Sequence, residues 1–184
     1  MNTTNTKETL HIRFAEKGKM YSLEGNYKEA LRHYKEAIKM MQQTKDSDIF
    51  FQHYSQCVME ALEQLGSYDE VISFCKNYRD FLADKETNVL VKKHNAFVCE
   101  RQAIQHILKE EQEEAKTVLT NAQKEIGKGK HPITDELLNW LLRGYKINKD
   151  QVTRLQKKHN YFIVRKESVN PKIAMDLPEG ISPF

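Results

Sequence analysis

Glycine and proline are scarce in this chain, with 7 Gly and 4 Pro in 184 residues, about half the share of an average protein. That scarcity argues against a loop-rich or many-turned β protein and favours long helices. No apolar run reaches the roughly 18 residues that a membrane span needs, and Met1 to Glu8 lacks the apolar core of a signal peptide. The expectation is a cytoplasmic protein with no membrane insertion. The three cysteines, Cys57, Cys75 and Cys99, are an odd number at spacings that match no metal or disulfide framework, as reduced cytosolic thiols would be. Neither sign of charge dominates, because 29 Lys and Arg face 26 Asp and Glu for a net charge of +3. With 39% hydrophobic and 30% charged residues, the chain can build a core under a heavily charged surface.

What is present repeats. Leu10, Phe14, Gly18 and Tyr21 share one helical face, Gly25-Asn26 interrupts, and Tyr27, Ala30, Tyr34, Ala37 and Met41 make a second stripe. Phe51, Tyr54, Val58 and Leu62 precede a break at Gly66-Ser67, and Val71, Cys75, Tyr78 and Leu82 follow it. A third, less regular pair runs from Leu90, Phe97, Val98, Ile104 and Leu108 across a polar break to Ala115, Leu119, Ala122 and Ile126. Asn26-x-x-Glu29, Ser67-x-x-Glu70 and Asn148-x-x-Gln151 read as capping boxes. Glu110 to Glu114 places negative charge at a helix N-terminus, where the macrodipole favours it. Gly127 to Pro132 is the clearest break, and it lacks the spacing and closing Lys-Ser/Thr of a P-loop. Beyond it, Thr134 can cap a helix carrying Leu137, Leu138 and Leu141, and a last helix carries Val152 and Leu155. From Ser168 on, Pro171, Pro178 and Pro183 forbid helix while Ile173, Met175, Leu177, Ile181 and Phe184 are unusually apolar, so an extended strap that docks through them is expected. The domains read as 1–126, a linker at 127–133, a capping helix pair at 134–167 and the tail at 168–184.

The run Phe14-x-x-x-Gly18-x-x-Tyr21-x-x-x-Gly25-Asn26-Tyr27-x-x-Ala30-x-x-x-Tyr34-x-x-Ala37 resembles the tetratricopeptide repeat, in which small residues let two helices approach and aromatic rings fill the gaps. The second and third pairs are degenerate copies. Met59, Val71 and Cys75 stand where small, Ala and aromatic residues belong, and Glu110 replaces the turn glycine. Ala30, Val71 and Ala115 are spaced by 41 and 44 residues, against about 34 for this repeat. The resemblance implies an all-α fold, a right-handed superhelix of antiparallel hairpins with about eight helices in all and a concave groove lined by first helices. In the register of the family, the groove candidates are Lys19, Ser22, His53, Gln56, Glu60, Glu63, Phe97, Arg101 and Ile104. A clamp that some members use for acidic chaperone tails would fall on Ala15, Lys19, Cys57, Phe97 and Arg101. Only Arg101 keeps the required residue, so binding of such tails is not implied.

No catalytic constellation or cofactor motif stands out. The histidines form no His-x-x-x-His pair, and no Cys-x-x-Cys site is present. His53 and Cys57 lie four apart on one face, but a buried thiol is the ordinary state of cysteine. Arg143 to Lys166 holds Arg143, Lys146, Lys149, Arg154, Lys157, Lys158, Arg165 and Lys166 against Asp150 alone, with Tyr145, Tyr161 and Phe162 interleaved. That patch suits an acidic protein or, through phosphate contacts and base stacking, a nucleic acid. The expected function is non-enzymatic protein binding, as an adaptor or assembly chaperone with no metal or cofactor. The alternatives are a structural subunit that docks through its tail and a nucleic-acid-associated protein. Self-association stays open.

Overall fold

The computed structural model describes residues 3–42, 47–84 and 86–179. The fold is all-α: α1 (Thr3–Leu23), α2 (Tyr27–Met41), α3 (Ser47–Gln64), α4 (Tyr68–Ala83), α5 (Val89–Leu108), α6 (Gln112–Ile126), α7 (Pro132–Leu142), α8 (Lys149–Lys158) and a short 3-10 helix at Lys166–Ser168, with no strand among the described residues. None of these helices is long and apolar enough to cross a membrane.

Two compact units divide the chain between Gly66 and Ser67 and again between Tyr161 and Phe162. The first holds α1 to α3 with the segment from Phe162 onward, and the second, Ser67–Tyr161, holds α4 to α8. The expected boundaries at 127–133 and 168 are therefore displaced. Residues 127–133 do not separate domains because α6 packs on α7. Asp135 ties the turn to both, accepting from the Gly129 amide at 2.7 Å and from Gln123.

One backbone device closes most of the turns. At the end of α1 the Asn26 amide donates to the Tyr21 carbonyl at 2.8 Å and the Gly25 amide to that of Ser22 at 3.1 Å, with Gly25 at φ +78°. This is the left-handed C-terminal turn that glycine adopts without a Cβ penalty. The same pair of bonds recurs after α5, α7 and α8. Two of those turns lack glycine and put Glu110 (φ +63°) and Asn160 (φ +49°) in the left-handed region.

That turn also explains a correction to the capping boxes. A side chain caps best from an extended N-cap. Asn148 (ψ 170°) makes the full reciprocal box with Gln151. Asn26 and Ser67 follow a left-handed residue directly and are held at ψ 67° and 56°. Asn26 keeps one long bond of 3.4 Å from the Glu29 amide, and Ser67 makes no side-chain cap. Asn88, unnoticed in the sequence, caps α5 through the Leu90 and Val91 amides. Nor does Thr134 cap α7, which begins at Pro132 after His131.

The core of the first unit gathers Phe14, Ala15, Ala37, Met41 and Tyr54, with Met175 and Leu177 packed against it. Gly18 lets α1 and α2 meet: a Cβ there would lie 2.7 Å from the Tyr34 ring and 3.2 Å from the Ala30 carbonyl. In the second unit α5 is central. Every residue from Val98 to Ile107 is buried, so this stretch has no solvent face. Leu90 and Phe97, read as part of its buried stripe, are exposed instead. All three cysteines are buried. Burial pushes the Cys99 thiol up to about 11, away from the thiolate that reactivity needs.

Candidate binding surface on the first two hairpin helices

The segment after Phe162 returns along the helices of its own unit, and buried carboxylates receive it. Glu60, 3% exposed on α3, accepts the Ile163 amide at 2.6 Å on one oxygen and the Val164 amide at 3.1 Å on the other. A carboxylate that takes two backbone donors has its desolvation offset by strong, charge-assisted bonds. On α1 the side chains of Glu16 and Lys19 form a buried ion pair at 2.7 Å. The second Glu16 oxygen accepts the Asn170 amide at 2.6 Å, and the Lys19 ammonium reaches the Ser168 carbonyl at 3.4 Å. Between these anchors the Ser168 hydroxyl accepts the Arg165 amide at 2.8 Å and closes the 3-10 turn.

Further on the chain is extended, and its contacts alternate as side chains of an extended segment must. Met175 and Leu177 face the Phe14 and Met41 core, and Asp176 faces the other way. The Tyr21 hydroxyl donates to Asp176 at 2.8 Å, and the Lys17 ammonium reaches the other oxygen at 3.1 Å. The Arg13 guanidinium donates to the Ile173 carbonyl at 3.1 Å. Hydrogen bonding to Asp176, then burial, pushes the Tyr21 hydroxyl up to about 12. Burial alone would raise the Asp176 carboxyl, but the bonds from Tyr21 and Lys17 and the Lys17 charge outweigh it and hold it below its ordinary value.

His33 on α2 lies 3.6 Å from Asp176, within ion-pair range. Burial holds its imidazole below the ordinary value, however, so the ring is neutral at neutral pH. The hydrogen-bond pattern assigns the tautomer: Nδ1–H donates to the Glu29 carbonyl at 2.8 Å, which leaves Nε2 to accept the Leu177 amide at 3.4 Å.

The groove candidates fall in both units. In the first, Lys19 and Glu60 hold the returning segment. The Ser22 hydroxyl pairs with that of Tyr34 at 2.9 Å instead. His53 and Gln56 are half-buried and Glu63 is buried. The His53 ring stands 4.0 Å from the Cys57 sulfur, and burial, then the Lys19 charge, lowers its pKa. In the second, Phe97 is exposed and lies edge-on to the His131 ring at 4.9 Å. Arg101 is buried, with its guanidinium 4.7 Å above the Tyr161 ring. Ile104 is fully buried. It belongs to the core because α5 is enclosed on all sides at that level.

The basic run does not form one surface of one unit, since Arg165 and Lys166 belong to the first and Arg143 to Lys158 to the second. Lys146 pairs with Glu110, Lys158 with Glu136, and Arg165 with Glu167. Arg143, Lys149, Arg154, Lys157 and Lys166 are exposed. Tyr161 is buried beneath Arg101, so of the interleaved aromatics only Tyr145 presents an exposed ring. Of the tail positions, Met175 and Leu177 dock on their own unit, Ile173 is more than a third exposed, and Ile181 and Phe184 lie outside the described residues.

Arg13, Glu16, Lys17 and His33 were not singled out by pattern, and Tyr21 was read as a packing position of the first hairpin rather than as a contact of the tail. Arg13, Lys17 and Tyr21 recur every four residues along one face of α1, and Met175-Asp176-Leu177 offers the matching alternation. No family model matches the chain, and neither a curated protein nor a solved structure matches it significantly.

Proposed function

We propose that this protein is a non-enzymatic protein-binding module, an adaptor or assembly chaperone, that takes an extended segment of a partner on the surface of α1 and α3. The supporting observation is the grip of Glu60 on two consecutive backbone amides, joined by the bond from the Asn170 amide to Glu16. Contacts to main-chain groups recognise an extended peptide whatever its sequence, and neighbouring apolar seats then select side chains. The resemblance of the first hairpin to the tetratricopeptide repeat points the same way. A tail that plugs a neighbouring subunit is less favoured, because Met175 and Leu177 are already committed to their own chain.

Site-specific photo-crosslinking tests this reading. A photoreactive residue at Gln56, one turn before Glu60 on α3, is compared in native lysate with one at the exposed Asn139 on α7. A defined protein adduct from position 56 that grows when Ile163→Pro with Val164→Pro removes the tail's own amide donors and leaves the Glu60 carboxylate in place is the expected result. Equal adducts from both positions, or none from position 56, would remove the α1–α3 surface from consideration.

A further inference from the structure

The returning segment is held in two tiers. The proximal part, Ile163 to Asn170, is clamped by Glu60 and Glu16, both buried. The distal part, Ile173 to Leu177, is held by the Asp176 carboxylate, 58% exposed in its side chain, and by two aliphatic side chains. Single bonds add to these, from Arg13 to the Ile173 carbonyl, from the Met175 amide to the Arg13 carbonyl at 3.2 Å and from the Leu177 amide to His33 at 3.4 Å, with no buried carboxylate among its partners in the described residues. The groups that receive it are fixed on rigid helices. Arg13, Lys17 and Tyr21 stand at i, i+4 and i+8 on α1, His33 faces them from α2, and the Lys17 ammonium sits 4.9 Å above the Tyr21 ring. If the distal part lifts, it leaves two cations and a hydroxyl donor beside an apolar floor of Phe14, Ala37 and Met41.

Resting on the reading of α1 and α3 as a peptide-binding surface, we propose that the distal tail is a displaceable stand-in. The Arg13–Lys17–Tyr21–His33 site takes, in exchange for Met175-Asp176-Leu177, an extended segment of another protein with an aspartate between two aliphatic residues. The carboxylate meets Lys17 and Tyr21, the flanking aliphatics reach the apolar floor, and Arg13 takes a carbonyl of the incoming chain. A second copy of this chain is a poorer occupant. Its latch would make the same contacts that the attached latch makes at higher effective concentration, so the exchange has no differential free energy to drive it.

The test uses the full-length chain, its D176K variant and, as a milder opening, D176A. The probe is a fluorescein-labelled peptide Lys-Ile-Ala-Met-Asp-Leu-Pro-Glu read by anisotropy, while hydrogen exchange at the Met175 and Leu177 amides reports release of the latch. The expected result is lost protection in both variants, peptide binding at least tenfold tighter than to the wild type, and at least tenfold weaker binding of the same peptide with Asn for Asp. The proposal is overturned if the released variants ignore the peptide, if Asp and Asn peptides bind alike, if the latch stays protected in both variants, or if the wild type forms dimers that bridge latches. A second peptide, Phe162 to Asn170, is added to the chain carrying Ile163→Pro and Val164→Pro, whose own segment has lost its two amide donors while Glu60 is intact. If it binds while the distal peptide does not, the peptide-binding surface stands and only the exchange at Asp176 falls; if neither binds, both fall.

Discussion

Glu60 in the first unit and Glu100 in the second are both 3% exposed, and each carboxylate takes two donors from a distant part of the chain. Glu100 accepts the Thr134 amide at 2.9 Å and the Thr134 hydroxyl at 2.7 Å on one oxygen. Thr134 is itself buried in the first turn of α7, where the helix dipole adds to the attraction. Glu60 instead accepts amides from Ile163 and Val164, which remain half-exposed and outside any helix. The acceptors match, so the donor's surroundings decide what the bond does. A donor buried in a helix start has no alternative partner and makes a permanent joint. A donor on a half-exposed segment can turn to water, and its bond can open.

Removing each carboxylate breaks this comparison most directly. Glu100→Ala leaves the Thr134 amide and hydroxyl buried without their acceptor, an expected loss of about 3 kcal/mol in urea unfolding. Glu60→Ala is expected to cost only about 1 kcal/mol, because the Ile163 and Val164 amides regain water. Its larger signature is local, with faster hydrogen exchange from Ile163 to Asn170 and little change in α1 to α3. Equal losses in the two variants would mean that the tail is as integral to the first unit as α7 is to the second.

The division into helices was legible because helical periodicity and left-handed turns leave strong local traces, as at Gly18, Gly25 and Gly66. Glu60 and Lys19, named as groove candidates through the resemblance, contact the chain's own returning segment, and the apolar spacing of Met175 and Leu177 marked a segment that needed a cover. What covered it was not legible. The partners of the tail lie more than a hundred residues away on α1 and α3, and nothing in either stretch alone encodes that pairing. Ile104 and Tyr161 were misread for a related reason. A residue on a plausible outer face becomes core when a later helix or turn closes over it, and that closure is a tertiary event.

A change of pH sharpens the comparison from the side of the first unit. His33 is buried, and burial lowers its pKa from the ordinary 6.5. The unfolded chain therefore takes up the proton first. The stabilisation from a neutral His33 is complete above pH 6.5 and is lost as pH falls from there through the depressed value. Asp176, also held low, adds loss in the same direction further into the acid range. His53 shares the sign in the first unit and His94 in the second, both lowered by burial. The readout is thus the pH slope of unfolding in His33→Gln against the wild type. A shallower slope between neutral pH and pH 5 is expected, together with less acid-induced exchange at the Leu177 amide. An unchanged slope would assign the titration to the other histidines.

The smallest effect isolates the second unit. Glu110 occupies at φ +63° the turn position that Gly25 fills in the first, and both turns are closed by the same two backbone bonds. A left-handed residue with a Cβ costs about 1–2 kcal/mol, and glycine gives back part of that gain as chain entropy. The Lys146 partner of Glu110 is an exposed pair, with side chains 72% and 74% accessible, and its loss weighs little. Glu110→Gly should therefore stabilise the second unit by about 0.5–1 kcal/mol, seen as a higher urea midpoint with an unchanged slope and unchanged exchange at Ile163 and Val164. A midpoint that falls would show that the Glu110 side chain contributes more at that turn than its backbone strain costs.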